Sequence, residues 1–101
     1  MFGRRENKNQ LSTPPIATAD KDAVEVLRVW AAPGKPQQLT LRTTWNDPAA
    51  WGLVLADVAR HAANAYAAEG HNRDEVLARI TAMFQAEWTQ PTDVPKDITP
   101  R

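Results

Sequence analysis

The sequence predicts an α+β domain in which a β-hairpin is followed by two antiparallel helices, in the order β-β-α-α. Three observations lead to this prediction. Two short segments rich in strand-forming residues are separated by a turn that contains proline and glycine. Two later segments carry apolar residues at helical spacing. Each of these later segments begins with a capping residue, and the first also ends at a glycine.

The hairpin is predicted from two segments and the turn between them. Residues 24–31 are rich in β-branched and aromatic side chains and predict the first strand. Residues 33–36 spell Pro-Gly-Lys-Pro and predict a turn, because proline fixes one backbone angle and glycine supplies the unusual one. Residues 38–44 alternate between apolar and polar side chains, which predicts a second, half-buried strand.

The register of the hairpin follows from its charges. We expect Arg28 on the outer face, because an unpaired buried charge is costly. The inner face, expected to receive the helices, then carries Leu27, Val29, Ala31, Leu39, Leu41 and Thr43. The outer face carries Val24, Val26, Arg28, Trp30, Thr40, Arg42 and Thr44.

A two-stranded hairpin of this kind is barely stable alone and has two open edges. Some apolar side chains also remain on its outer face. We therefore hypothesise a homodimer in which two hairpins form a four-stranded sheet. Two alternatives remain open: the N-terminal arm covers this surface, or the chain contains a third short strand.

The sequence of the first helix contains an N-terminal cap, an apolar face and a C-terminal glycine. Asp47 is a suitable N-cap, Pro48 suits the first helical position, and Gly70 can adopt the left-handed conformation that ends a helix. The apolar stripe between them is formed by Trp51, Leu55, Val58, Ala62 and Tyr66. The alanine-rich second half of this helix would allow another element to approach closely.

The second helix begins at the cap Asn72, with Glu75 completing a capping-box pattern, and ends before Pro91. The short connection between the helices indicates antiparallel packing. The apolar positions of the second helix include Val76, Leu77, Ile80, Met83, Phe84 and Trp88. We expect a flexible arm over residues 1–20, one domain over 21–90 and a flexible tail over 91–101.

Composition excludes several classes of function. The chain has 101 residues and no cysteine, so disulfides and thiol chemistry are excluded. Its 12 basic and 12 acidic residues are interspersed, and the second helix begins Arg73-Asp74-Glu75, so we expect no nucleic-acid partner. No apolar run is long enough for a membrane span or a signal core. We expect a cytoplasmic protein without membrane contact.

Two polar residues in the first helix could carry chemistry. Asp57 and His61 are four residues apart and therefore neighbours on one helix face, where a carboxylate can orient a general base. No nucleophile is placed to complete such a site, and pairs of this type are common on solvated helices. His71 lies ten residues beyond His61, across a helix end. We expect no catalytic residue, no metal site and no cofactor.

Four tryptophans, Trp30, Trp45, Trp51 and Trp88, are many for a chain of this length. They predict either large rings that seal a small core or an aromatic patch for a partner or flat ligand. The best candidate patch is Trp30 with Arg28 and Arg42 on the outer hairpin face. Tryptophan and arginine are the usual anchors of interfaces, and arginines can hold a carboxylate.

The segments DAVEVLRVWA at 22–31, LTLR at 39–42 and DPAAWG at 47–52 resemble a small family of short bacterial proteins. That family is known only as a domain of unknown function. The resemblance covers most of residues 10–90. It implies a bacterial cytoplasmic protein, and it assigns no catalytic residue.

Together these observations favour a non-enzymatic binding or regulatory module that acts as a homodimer. The outer hairpin face with Arg28, Trp30 and Arg42 would meet a protein partner or a second copy. The alternative is a small-molecule-binding protein or an enzyme whose site is completed at the dimer interface, using Asp57 and His61.

Overall fold

The computed structural model describes residues 7–92, 96–97 and 99. Residues 1–6 of the expected arm, and 93–95, 98 and 100–101 of the expected tail, lie outside the described residues. The described elements are the helices α1 (Ile16–Ala19), α2 (Ala49–Ala68) and α3 (Arg73–Thr89) and the strands β1 (Leu27–Trp30), β2 (Gln38–Leu41) and β3 (Lys96–Asp97). The predicted α+β class, a hairpin followed by two long helices, is confirmed.

The antiparallel pairing of β1 with β2 has the predicted distribution of side chains. Opposed residues of an antiparallel pair share a face. The register pairs Leu27 with Leu41 and Val29 with Leu39 on one face, and Arg28 with Thr40 and Trp30 with Gln38 on the other. The sheet therefore has one apolar face and one polar, aromatic face.

The turn between the strands depends on Gly34. The N–H of Lys35 donates to the carbonyl of Ala32 at 3.2 Å, and Gly34 has φ 71°. With Pro33 before it, this is a type II turn, in which the third position requires a positive φ. The predicted role of proline and glycine in this turn is confirmed.

A third strand lies in the segment expected to be a tail. β3 pairs with β2 in parallel, with Lys96 opposite Gln38 and Asp97 opposite Leu39, so the sheet order is β1-β2-β3. The N–H of Leu41 donates to the Thr99 hydroxyl at 2.8 Å and extends this contact. Since β3 occupies one edge of β2, a second copy could extend the sheet only at β1 or beyond β3.

Helix α2 begins at Ala49, one residue after the predicted first helical position Pro48, and its C-terminal end is the predicted one. The Asp47 carboxylate accepts a hydrogen bond from the N–H of Ala49 at 2.9 Å. At the other end, Gly70 has φ 102° and donates to the carbonyl of Ala67 at 3.0 Å, while His71 donates to the carbonyl of Tyr66 at 3.1 Å. This pair of bonds is the Schellman arrangement.

Helices α2 and α3 pack against each other. Asn72 caps α3 by accepting from the N–H of Glu75 at 3.0 Å, and Arg73 Nε donates to Asn64 Oδ1 at 2.6 Å across the connection. Ala63 is completely buried, and it is surrounded in sequence by the alanines that the sequence analysis expected to permit close approach. The half-buried apolar residues of the two helices include Val54, Ala59, Ala62, Ala67, Val76, Leu77 and Ile80.

The sheet and the helices remain apart. In the part of the chain that the structure describes, no Cα atom of a strand lies within 8 Å of one in α2 or α3. The expectation that the apolar hairpin face receives the helices of its own chain is therefore wrong. As a result, Val29 and Leu41 on that face are exposed.

A bend between β2 and α2 separates the two parts. Thr44 has φ 65°, and the N–H of Trp45 donates to the carbonyl of Thr43 at 2.6 Å, which forms a γ-turn. The same carbonyl accepts from Trp51 Nε1 at 3.1 Å. The rings of Trp45 and Trp51 meet edge to face with centroids 5.6 Å apart. This turn also ends the second strand earlier than predicted.

No helix among the described residues combines the length and the apolar character needed to cross a membrane.

Candidate functional site

The outer hairpin face brings together the three residues singled out from the sequence. Arg28 and Trp30 are two positions apart on β1, so their side chains project from the same face. Arg42 directly follows β2, and its N–H donates to the carbonyl of Val26 at 2.9 Å, which extends the ladder by one pair. By this register Arg42 lies on the same face as Arg28. That this face binds a partner stays a prediction.

The two arginines of this face differ in their surroundings. Arg28 Nη2 lies 3.1 Å from Glu25 Oε1 and donates to Glu25 Oε2 at 3.2 Å. Among the side chains of residues 7–92, no carboxylate lies within 4.0 Å of the Arg42 guanidinium. Glu25 therefore offsets the charge of Arg28, whereas no carboxylate of residues 7–92 does so for Arg42.

The N-terminal arm borders this face without hiding it. Asn7 and Gln10 share a shallow groove with Arg28, Trp30, Gln38 and Thr40. Residues 9–14 line a second groove along β1. Trp30 nevertheless remains 38% exposed, so its ring is accessible to a partner.

The C-terminal segment borders the other end of the face. Thr99 lines a groove with Arg28, Arg42 and Thr40. Residues 7–14 and Thr99 thus flank the outer hairpin face, whose middle carries one tryptophan and two guanidinium groups. Such a surface suits a carboxylate-bearing or aromatic group more than an aliphatic one.

The structure does not bring Asp57 and His61 into a dyad. The nearest recorded partner of the Asp57 carboxylate is Arg60, whose Nη1 lies at 3.4 Å. His61 is exposed on α2. His71 instead packs edge to face on Tyr66, with ring centroids 5.3 Å apart, at the end of the helix. Within the described residues, no three His, Cys, Asp or Glu side chains are grouped to hold a metal ion.

Sequence reasoning missed an exposed apolar surface on the second half of α3. Here Phe84 and Trp88 pack edge to face, with centroids 5.6 Å apart, yet Trp88 is 71% exposed and Met83 is 63% exposed. We call this surface the α3 groove; it is lined by Arg79, Ile80, Met83, Phe84, Glu87 and Trp88. The helical spacing of these residues predicts an apolar stripe, but spacing cannot say what covers the stripe.

Glu87 places a fixed negative charge beside the α3 groove. Its carboxylate accepts from the Thr92 hydroxyl at 2.6 Å and from the Thr92 N–H at 3.0 Å. These two bonds, the hydroxyl first, lower the pKa of Glu87 below its ordinary value because they stabilise the ionised carboxylate. Glu87 and Arg79 together leave the groove without net charge.

Comparisons with known proteins give a family and a solved structure to which this chain is similar. The sequence profile of a family described as "Domain of unknown function (DUF5076)" matches residues 10–92. No curated protein matches the chain. A solved structure from the photosynthetic bacterium Rhodopseudomonas palustrus CGA009, described as a "putative pyruvate dehydrogenase", is similar with a TM-score of 0.70 and 41% sequence identity. The similarity covers 89% of this chain and 93% of that chain.

Proposed function

The chain belongs to the DUF5076 family, a domain of unknown function, and we propose that it is a non-enzymatic binding module that acts as a homodimer. One observation carries this proposal: a single chain leaves most of its large apolar side chains in water. Exposed apolar side chains occur on α1, β1, β2, α2 and α3, and Ala63 is the only buried residue among those whose burial the structure describes. Exposed apolar surface of this extent marks an interaction surface.

The accessible area supports association. The chain exposes 8868 Å². A compact monomer of 11.2 kDa is expected to expose about 5,700 Å². A chain that buries so little of its apolar surface gains little from the hydrophobic effect alone. Association with a second copy supplies the missing burial.

The outer hairpin face is the proposed surface for a protein partner. Trp30 offers a large rigid ring that is 38% exposed, and Arg42 offers a guanidinium group on the same face. Residues of these two types contribute most to binding at interfaces. The partner that fits this face is a protein segment that presents a carboxylate beside an apolar or aromatic side chain.

The experiment has two parts. Light scattering over a dilution series is expected to give the mass of a dimer, and a monomer at every concentration would contradict the homodimer. Affinity capture from cell extract is then compared between the wild-type chain and the double variant W30A/R42A. The double variant should lose the partner while helix content, measured by circular dichroism, stays unchanged.

R60A is the matched control for this comparison, because Arg60 is an exposed arginine on α2, away from the hairpin. It should capture the partner as the wild-type chain does. If W30A/R42A and R60A capture the same proteins as the wild-type chain, the outer hairpin face is not the binding surface.

A second candidate arises from the words "pyruvate dehydrogenase" in the description of the structural relative. On this hypothesis the outer hairpin face binds a small carboxylate such as pyruvate, with Arg42 as the main donor. Titration of pyruvate into isotope-labelled protein would shift the NMR signals of the Trp30 indole and of Arg42. R42A should abolish those shifts. If pyruvate moves neither signal in the wild-type chain, this candidate is excluded and the protein partner remains.

A further inference from the structure

Building on the homodimer of the proposed function, we infer that the apolar sheet face of each protomer packs on the α3 groove of its partner. The core of the domain would then form between two copies of the chain rather than within one. Five observations support this arrangement.

The first observation is that α2 and α3 of the same chain do not cover the inner face of the sheet. This face is built by Leu27 opposite Leu41 and by Val29 opposite Leu39, without a charged side chain among the four. Val29 is 51% exposed. An apolar sheet face becomes stable when a helical layer or a second sheet covers it. The helices of the same chain do not provide that layer.

The second observation is that α3 carries a matching uncovered surface. The α3 groove presents Ile80, Met83, Phe84 and Trp88, all apolar. Its two charged residues, Arg79 and Glu87, are of opposite sign. An uncharged sheet face can therefore approach it without meeting an excess of either charge. Aromatic and methionine side chains are also enriched at the centres of interfaces.

The third observation is the connection that holds the hairpin away from its own helices. The γ-turn at Thr44 and the Trp51 indole bond to the Thr43 carbonyl fix the course of the chain between β2 and α2. A short, strained connection that keeps two units apart favours exchange of those units between protomers. The hairpin is thus presented to a second copy.

The fourth observation is the area available. The chain exposes about 3,200 Å² more than a compact monomer of its mass. Obligate dimers bury about 2,000–5,000 Å² in total, which is about 1,000–2,500 Å² for each protomer. This excess comes from the whole chain, terminal segments included, and it is larger than the area that each protomer of such a dimer buries. A reciprocal exchange would use both sheet faces and both α3 grooves and would close at two copies.

The fifth observation is the likeness to a solved structure. The match covers 89% of this chain with a TM-score of 0.70. Since α2 and α3 make up well under half of the chain, a match of that extent includes the hairpin as well as the helices. The relative supports the placement of hairpin and helices described above.

The test uses the absence of cysteine, because each introduced thiol is then the only one in its chain. Two full-length variants, V29C on the sheet face and M83C in the α3 groove, are refolded together, with a mass tag on one of them. A short bifunctional thiol reagent should join V29C to M83C and give a covalent dimer that carries one tag. Because each variant carries a single thiol, this link can form only between two protomers.

The matched control is Q85C, an exposed α3 residue that lines a different surface from Met83, with Ala78, Thr81 and Ala82. V29C with Q85C should link much less than V29C with M83C. Circular dichroism of each variant checks that it folds, and V29S and M83S, which carry no thiol, show whether the substitutions themselves disrupt the dimer.

Three outcomes separate the two proposals. Linking of V29C to M83C, with little linking to Q85C, supports the reciprocal arrangement. Dimers in which only identical variants link, or in which M83C and Q85C link equally, overturn it and leave the homodimer intact. A monomer at every concentration overturns both the arrangement and the homodimer.

Discussion

Single residues decide where this chain bends. Thr44 has φ 65°, a conformation that β-branched residues rarely adopt. Its hydroxyl donates to the carbonyl of Arg42 at 2.8 Å, and the neighbouring carbonyl of Thr43 accepts from two N–H groups, one of them the Trp51 indole. Thr44 itself is neither glycine nor asparagine, the residues that would predict a positive φ at this position. This residue explains why the apolar hairpin face does not meet its own helices.

Another single residue, Thr92, lowers the pKa of Glu87 by two hydrogen bonds to its carboxylate. The hydrogen bonds from Thr92 lower the pKa of Glu87 in the folded state. The ionised carboxylate therefore stabilises the folded state at pH values above 4.5, the ordinary pKa of this group. The stabilisation is lost as the pH falls through the lower folded-state pKa. In T92A we expect the pKa of Glu87 to rise, measured by NMR titration of its side-chain carboxyl. The control is T81A, which removes a hydroxyl that donates to the carbonyl of Leu77 and should leave the pKa of Glu87 unchanged. Equal pKa values of Glu87 in T92A and in the wild-type chain would contradict the assignment.

Among the elements, α2 is the one whose ends the sequence predicts best. The Asp47 carboxylate and the Schellman turn at Gly70 use short, local contacts that depend only on neighbouring residues. The apolar stripe of α2 also follows from the spacing of neighbouring residues, but which of its side chains are buried depends on contacts with other elements. Leu55, Val58 and Tyr66 are exposed, whereas Ala63, beside the stripe, is buried against α3.

Gly52 inside α2 and Gly70 just after its C-terminal end provide a matched pair of substitutions. A Cβ atom at Gly52 or at Gly70 would meet no atom within 4 Å, so packing does not distinguish them. G52A should raise the free energy of unfolding by about 0.5–1 kcal/mol, because glycine is a poor residue inside a helix. G70A should lower it by about 1 kcal/mol, because Gly70 has φ 102°. Chemical denaturation measures both, and changes of the same sign would contradict this account.

The molecule as a whole depends on surfaces that one chain leaves uncovered. The sheet face and the α3 groove are each apolar, and each keeps exposed apolar side chains in the described part of the chain. Sequence analysis predicted the hairpin register, both long helices and the grouping of Arg28, Trp30 and Arg42 on one face. Those features depend on alternation and helical spacing, which are properties of consecutive residues.

If folding and dimerisation are coupled, stability depends on protein concentration. We expect the midpoint of thermal unfolding, followed by circular dichroism, to rise across a hundredfold increase in concentration, because association favours the folded chain by mass action. L39D, which places a charge on the apolar sheet face, should lower the midpoint and remove its concentration dependence. A wild-type midpoint that stays constant would show that the chain folds as a monomer.

The sequence by itself determined the local structure of this protein: the hairpin and its faces, the caps of α2 and α3, the type II turn at Gly34 and the membership of a domain family of unknown function. Only the tertiary structure decided that the hairpin stands away from the helices and that β3 joins β2. It also decided that the two arginines differ in their ion pairs and that α3 keeps an apolar groove. The reason is physical. Periodicity and capping report the environment within a few residues, whereas coverage of an apolar face depends on the path of the whole chain and on a second copy.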